Sequence, residues 1–224
     1  MAYTIIVGLT TEGTTDVRFL ETIVEQAFEK VAQECPKDVE IMSLTLGTTK
    51  VGKDSFSDYV VEAAKEAVQC GVTTMAVHSD SDNNTYHERK NYNFVPAIET
   101  LASHPDDEVC KLITPVIPVR MVEAWMLADK NLLRLEIGTK LSEHDLGIDG
   151  DPESMADPKE RISVAIRIAN EYSTHKNPVK NIDISDLYEI IGQKLQPEQL
   201  MRFESYNLFL EEIRDTYRQL GILY

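Results

Sequence analysis

The apolar positions in the first half of the chain follow two alternating periods. Residues 3–9, YTIIVGL, are a continuous apolar run rich in β-branched side chains. That is the pattern of a strand buried on both faces. After a Glu-Gly turn, Val17, Leu20, Val24, Ala27, Phe28 and Val31 fall on one stripe of a helix. Thr14 or Thr15 is placed to cap that helix, and Asp16 in its first turn suits the helix dipole. The alternation then repeats. Residues 39–46 predict a second strand, 55–71 a second helix with Ser55 as cap and Gly71 as stop, and 72–80 a third strand. A helix is expected around 94–103. Residues 111–119 read as a fourth strand, which Pro115 and Pro118 demote to an edge or to partial pairing. Residues 121–129 read as a helix.

Such alternation predicts right-handed crossovers and a mostly parallel sheet with helices on both faces. In a sheet of this kind ligands bind beyond the carboxyl ends of the strands. The second half changes character. Residues 142–154 form an acidic stretch with Gly and Pro that reads as a loop. Helical patterns alone follow it, over 157–172, 183–195 and 197–220. The first of these opens with Asp157 as cap and Pro158 at the first helical position. The expected fold is α/β and Rossmann-like: a core over 1–130 and a helical C-terminal appendage over 131–224, packed on it.

Acids stand where the chemistry is expected. Strand one runs out at Glu12, and strand three ends in HSDSDNN, with Asp80 and Asp82 two residues apart. In extended chain, residues two apart point the same way, so both carboxylates can face one point. If strands one and three lie close, Glu12 joins them. Three converging carboxylates repel unless a cation lies between them. Hard oxygen ligands favour magnesium or manganese, which neutralises charge and activates water in phosphoryl transfer. The competing reading is an Asx-rich turn, because Asp and Asn bond their own backbone in such sequences.

Composition narrows the field. The chain has 224 residues, 42% of them hydrophobic, which suffices for a sizeable core. Its 38 acidic and 22 basic residues give a formal net charge of −16. That charge disfavours unspecific association with nucleic acid or anionic membrane, but leaves room for a local basic groove or a bound metal. Cys35, Cys70 and Cys110 are far apart and form no CxxC pair. Neither a disulfide framework nor a zinc site is expected, and a reducing cytoplasm is the natural compartment. The N-terminal run is too short for a membrane span and lacks a basic leader. No Walker loop or dinucleotide fingerprint is present.

Several flanking residues are candidates for substrate contact. In RMVEAWMLAD, Arg120 is placed to hold a phosphate and Glu123 to act as an outer acid; a local ion pair between them is the alternative. Trp125 reads as a packing anchor. Lys159 opens a helix, where it either contacts phosphate or is solvated. The stretch TYHERKNYN, 85–93, carries Arg89 and Lys90 among His87, Tyr86 and Tyr92 and reads as a loop. Cations interleaved with aromatics suit a nucleic-acid strand. Lys50 and Lys53 follow strand two and add to the same rim. His78 reads as a hydrogen-bonded core residue rather than a ligand, since the neighbouring ligands are hard oxygens.

A glutamate after the first strand, then Gly and a helix, then DxD after the third strand, resembles the topoisomerase–primase (TOPRIM) fold. EGTTDVRFL (12–20), SDSDN (79–83), PVRMVEAWMLAD (118–129) and DPKERI (157–162) bring the chain closest to a bacterial TOPRIM-like family of unknown function. That family is distantly similar to the nuclease part of the OLD family. The resemblance implies a parallel sheet of about four strands. It also implies a Mg2+-dependent nuclease in which Glu12 acts in acid–base catalysis and Asp80 and Asp82 bind metal. It further implies anti-phage defence beside an ATPase partner. Two functions follow as expectations. One is a phosphodiester-cleaving nuclease acting on nucleic acid. The other is a latent or non-catalytic partner subunit that binds an ATPase; self-association as a homo-oligomer is compatible with either.

Overall fold

A computed structural model describes residues 3–50, 52–172 and 182–224. Four strands form one parallel sheet: β1 (Tyr3–Thr10), β2 (Val39–Thr45), β3 (Thr74–His78) and β4 (Ile113–Val116), in the order β2-β1-β3-β4. The protein is therefore α/β with an all-parallel sheet, as the alternation of patterns predicts. β4 lies at an edge, and its Pro115 pairs in register with Val77. An edge strand tolerates the missing N–H on its open side.

Helix α1 (Thr14–Ala32) links β1 to β2, and α2 (Phe56–Gln69) returns from β2 to β3. Gly71 follows α2 with φ +70, the left-handed stop that only glycine adopts freely. The cap of α1 differs from expectation. Gly13 is the capping residue, and its N–H donates to the Asp16 carboxylate at 3.1 Å, so neither Thr14 nor Thr15 is needed there.

Three helical segments depart from the sequence reading. The stretch 85–93 is not a loop. Helix α3 (Tyr86–Arg89) runs through a π-helical turn (Lys90–Phe94) into α4 (Val95–Ala102). Thr85 and Glu88 start it with a reciprocal capping box. Pro96 lacks the N–H that a regular helix would use at that point, and the widened turn ahead of it absorbs the gap. Helix α5 (Val122–Met126) is followed by α6 (Lys130–Ile137), which Asp129 caps through Leu132 N–H at 3.0 Å. The sequence reading lacks α6, whose exposed Leu135 blurs the apolar stripe. Helix α7 (Pro158–Tyr172) starts as expected, with Asp157 accepting from Glu160 N–H at 2.8 Å. After α8 (Leu187–Lys194), the long last helix is broken into α9 (Pro197–Leu200) and α10 (Glu204–Gln219). Phe203 turns into the core between them.

Successive strand residues face opposite sides of the sheet, and each side has its own apolar cluster. Ile5, Val7, Leu9, Ala76 and Val116 pack with α1 and with residues of α5 to α10. Met75, Val77 and Ile113 pack with α2 and the α3–α4 segment. Residues on both sides of position 130 share the first cluster. Trp125 anchors it: the indole is fully buried, donates to Ser205 Oγ at 2.8 Å and meets the Tyr206 ring edge-on at 5.4 Å. Helix α8 lies close on α1 at Gly192, where a Cβ would come 2.5 Å from the Phe19 carbonyl oxygen. Among the described residues, no helix is long and apolar enough to cross a membrane.

Candidate active site

Because β1 and β3 are neighbours at the centre of the sheet, their carboxyl ends bring Glu12 beside Ser79 and Asp80. The Ser79 hydroxyl donates to Glu12 Oε1 at 2.7 Å. Lys50 Nζ reaches the same oxygen at 3.1 Å. Asn93 donates to Ser79 Oγ at 3.2 Å, so the π-helical turn steadies this corner. The loop bearing Lys50 is held by Glu66, which accepts from Gly47 N–H at 2.7 Å and from Thr48 N–H and Oγ at 2.9 and 2.6 Å. Burial works to raise the Glu66 pKa, but the bonds from Thr48 and Gly47 prevail and hold it below the usual range.

Asp80 faces inward. Its Oδ1 lies 3.1 Å from Nε2 of His78, which is completely buried at the end of β3. The other ring nitrogen lies 3.7 Å from Asp16, within ion-pair reach but beyond hydrogen-bond distance. Burial opposes the charged imidazole. The hydrogen bond to Asp80 and the charges of Asp80, Asp16 and Glu12 outweigh it, and the His78 pKa is raised. Asp16 is raised as well, first by burial and then by Asp80 and Glu123, against the opposing pull of His78 and Gly13. Glu123, only 3% exposed, accepts the Tyr188 hydroxyl of α8 and lies 3.4 Å from Lys159 Nζ of α7. The C-terminal helices thus supply two side chains to an inner wall made of Asp16, His78, Asp80 and Glu123. The sequence reading missed Asp16 and Tyr188 as members of this site. For Asp16 the signal was its place in the first helical turn after Glu12; for Tyr188 there was none, because it lies 65 residues from Glu123.

Asp82 does not join this wall, which corrects the expectation of a Glu12–Asp80–Asp82 triad. The chain stops being extended at this point: Asp82 has φ +53. Its carboxylate pairs with Arg89 and is 64% exposed, against 26% for Asp80. The loop is laced to the one after β4. Ser81 N–H donates to Pro118 O at 3.2 Å, Asp82 N–H to Arg120 O at 3.0 Å, and Arg120 N–H to Ser81 Oγ at 2.7 Å. Arg120 also has a left-handed backbone, φ +62, and these two are the non-glycine residues with positive φ among the described residues. Strain of this kind persists where cross-links over-determine it.

The basic candidates divide in the same way. Arg89 is committed to Asp82 and donates to Ser81 O at 3.1 Å. Lys90 pairs with Glu212, which also accepts the Tyr86 hydroxyl at 2.8 Å. Lys159, not Arg120, pairs with Glu123, so the local Arg120–Glu123 pair is not formed. Arg120 donates to Asn83 Oδ1 at 2.7 Å and has no carboxylate partner among the described residues.

Among the described residues, no group of three or more His, Cys, Asp and Glu side chains is arranged as a metal cage. Magnesium asks for less. It keeps several waters and takes one or two carboxylates together with substrate phosphate oxygens. Glu12 and Asp80 are two carboxylates at the adjacent carboxyl ends of β1 and β3. The Lys50 ammonium already sets one cation on Glu12. The third acid of the expected set, Asp82, is taken up by Arg89 instead. In comparisons with known proteins, no family model, curated protein or solved structure matches the chain.

Proposed function

We propose that the protein is a Mg2+- or Mn2+-dependent nuclease that hydrolyses phosphodiesters of nucleic acid, in the anti-phage setting that the TOPRIM-like resemblance implies. The observation that supports this reading is that Glu12 and Asp80 stand at adjacent ends of the two central strands, with Glu12 hydrogen-bonded to Ser79, the chain neighbour of Asp80. Glu12 and Asp80 hold the ion, and Arg120 holds a substrate phosphate. The bound ion would neutralise charge on the phosphoryl group and lower the pKa of an attacking water. Lys50 and Ser79 keep the Glu12 carboxylate aimed until then. His78 holds Asp80 in one orientation. Tyr188 and Lys159 do the same for Glu123, which lies close enough to raise the Asp16 pKa.

The test is cleavage of labelled single- and double-stranded DNA and RNA with magnesium, manganese or a chelator. Glu12→Ala is expected to lower the rate by about 10²–10⁴ if Glu12 acts as acid or base. Equal background cleavage by wild type and variant would sink the reading.

One observation favours a second role beside it. Tyr92, Val95 and Ile98, spaced by three along the π turn and α4, are 70%, 40% and 40% exposed. With the −16 charge, this apolar stripe suits a protein partner such as an ATPase, or a second copy of the chain, better than nucleic acid. Purification from the native host, followed by light scattering, separates partner, homo-oligomer and monomer. The free thiols of Cys35, Cys70 and Cys110 favour the reducing cytoplasm as the place to look.

A further inference from the structure

A cavity of about 340 Å³ opens between the start of α3 and the start of α10, at the carboxyl end of the sheet. Tyr86, His87, Val119 and Leu208 give it aromatic and aliphatic walls, and Asn84 and Glu204 stand among its lining as polar groups. The Tyr86 and His87 rings meet edge-on at 5.6 Å, and the Tyr86 hydroxyl is tied to Glu212, so this wall is set in place. Asn84 and Val119 are the chain neighbours of Asn83 and Arg120, which are themselves joined at 2.7 Å. The unpaired guanidinium is therefore anchored one residue from the cavity on both loops.

We propose that this cavity binds an unpaired nucleobase, the base of the nucleotide whose phosphate lies on Arg120. A planar, neutral ring suits walls of this kind, because base stacking on aromatic and apolar side chains is indifferent to sequence. Asn84 offers both a donor and an acceptor, and Glu204 accepts from exocyclic amines. The same Glu204, with Glu212 behind it, repels a phosphate, so the anion stays on Arg120 and the base goes inward. A base enters such a cavity only after leaving the helical stack, which selects single strands, ends and bulges over intact duplex.

The inference rests on the nuclease reading for the place of the phosphodiester, and adds to it the form of the substrate. Its test is binding of the full-length wild type to single strands of about ten nucleotides, DNA and RNA in parallel, with calcium in place of magnesium. Each strand is compared with a series carrying one abasic position. Loss of the seated base is expected to weaken binding by about tenfold at one position of the series. Leu208→Phe intrudes on the cavity and is expected to weaken the parent strand towards the same level, with the abasic strand unchanged. The tighter of the two nucleic acids identifies the sugar. Equal affinity for the parent and every abasic strand overturns the proposal, as does no binding at all. The abasic comparison uses wild type alone and decides even if Leu208→Phe fails to fold. Discrimination without magnesium-dependent cleavage keeps the base pocket and removes the nuclease reading; cleavage without discrimination does the reverse.

Discussion

Asp80 and Asp82 are two residues apart on one loop and belong to two different regions. Asp80 belongs to an inner wall, in contact with a buried histidine and beside Asp16 and Glu123. Asp82 belongs to an outer rim, where it pairs with Arg89 and faces solvent. On the inner wall His78 joins Asp80 to Asp16 of α1, and Glu123 is held from α7 and α8, so position is decided by packing. On the rim, position is decided by two strained backbone residues and the hydrogen bonds between loops. Functional geometry is held most tightly where its supporting groups are themselves locked. The inner wall should therefore carry the chemistry and the rim should carry adjustable contacts. The largest test is Asp80→Asn. Asparagine keeps the shape and the contact with His78 but removes the charge. Cleavage is expected to fall by about 10²–10⁴, while the thermal midpoint stays close to wild type. Retention of more than a tenth of the rate would move the chemistry off the inner wall.

The wall also depends on α8, which delivers Tyr188. Gly192 lets that helix close on α1, and an added Cβ would meet the Phe19 carbonyl oxygen at 2.5 Å. Backbone cannot give way as a side chain can. Gly192→Ala is expected to cost about 1–3 kcal/mol in urea unfolding, as overpacked sites do. Activity should fall with it, because Tyr188 moves away from Glu123. A variant with lost stability but full activity would show that Tyr188 plays no part in placing Glu123.

The inner wall and the rim were not equally legible in the sequence. β1 and β3 declared themselves by continuous apolar runs, and the two prolines demoted β4 to an edge or to partial pairing. Glu12 and Asp80 followed, because strand ends are fixed once the strands are. Asp82 was misplaced because the extended geometry was carried two residues too far; its left-handed φ is set by Ser81 and Arg120, the latter 38 residues away. The start of α3 is signalled locally by the Thr85–Glu88 capping box alone, because the cations and aromatics of 85–93 carry no clear helical stripe. Tyr188 left no local trace, since only the packing of α8 on α1 brings it to Glu123. Local pattern therefore located the strand ends, while the partners of Glu12 and Glu123 came from contacts that no short motif contains.

Asp16 gives a smaller test with a definite sign. Its pKa is raised in the folded state, first by burial and then by Asp80 and Glu123. The folded protein thus holds the Asp16 proton more tightly than the unfolded chain. Ionised Asp16 costs stability as pH rises through the ordinary Asp range, and the cost levels off above the raised value. Asp16→Asn keeps an acceptor for Gly13 N–H and removes the charge. Its thermal midpoint is expected to exceed that of wild type at about pH 7, with the difference vanishing near about pH 3. A gain independent of pH would mean that ionisation of Asp16 is not its source.

The smallest expected effect belongs to Asp82, and it tests the comparison most directly. Asparagine tolerates the left-handed backbone at this position, so Asp82→Asn changes charge and little else. Arg89 keeps its bond to Ser81 O at 3.1 Å and stays in place. The lost ion pair is exposed on the Asp82 side and should be worth at most about 1 kcal/mol in unfolding. Released from its carboxylate, Arg89 joins Arg120 as a free cation at the rim. Cleavage should hold within about threefold, and strand affinity should tighten slightly at low salt, in proportion to one added cation. A rate loss as large as that of Asp80→Asn would place Asp82 on the chemistry. The loop would then have to swing inward when substrate binds, breaking the Arg89 pair and pulling Asp82 out of its left-handed turn.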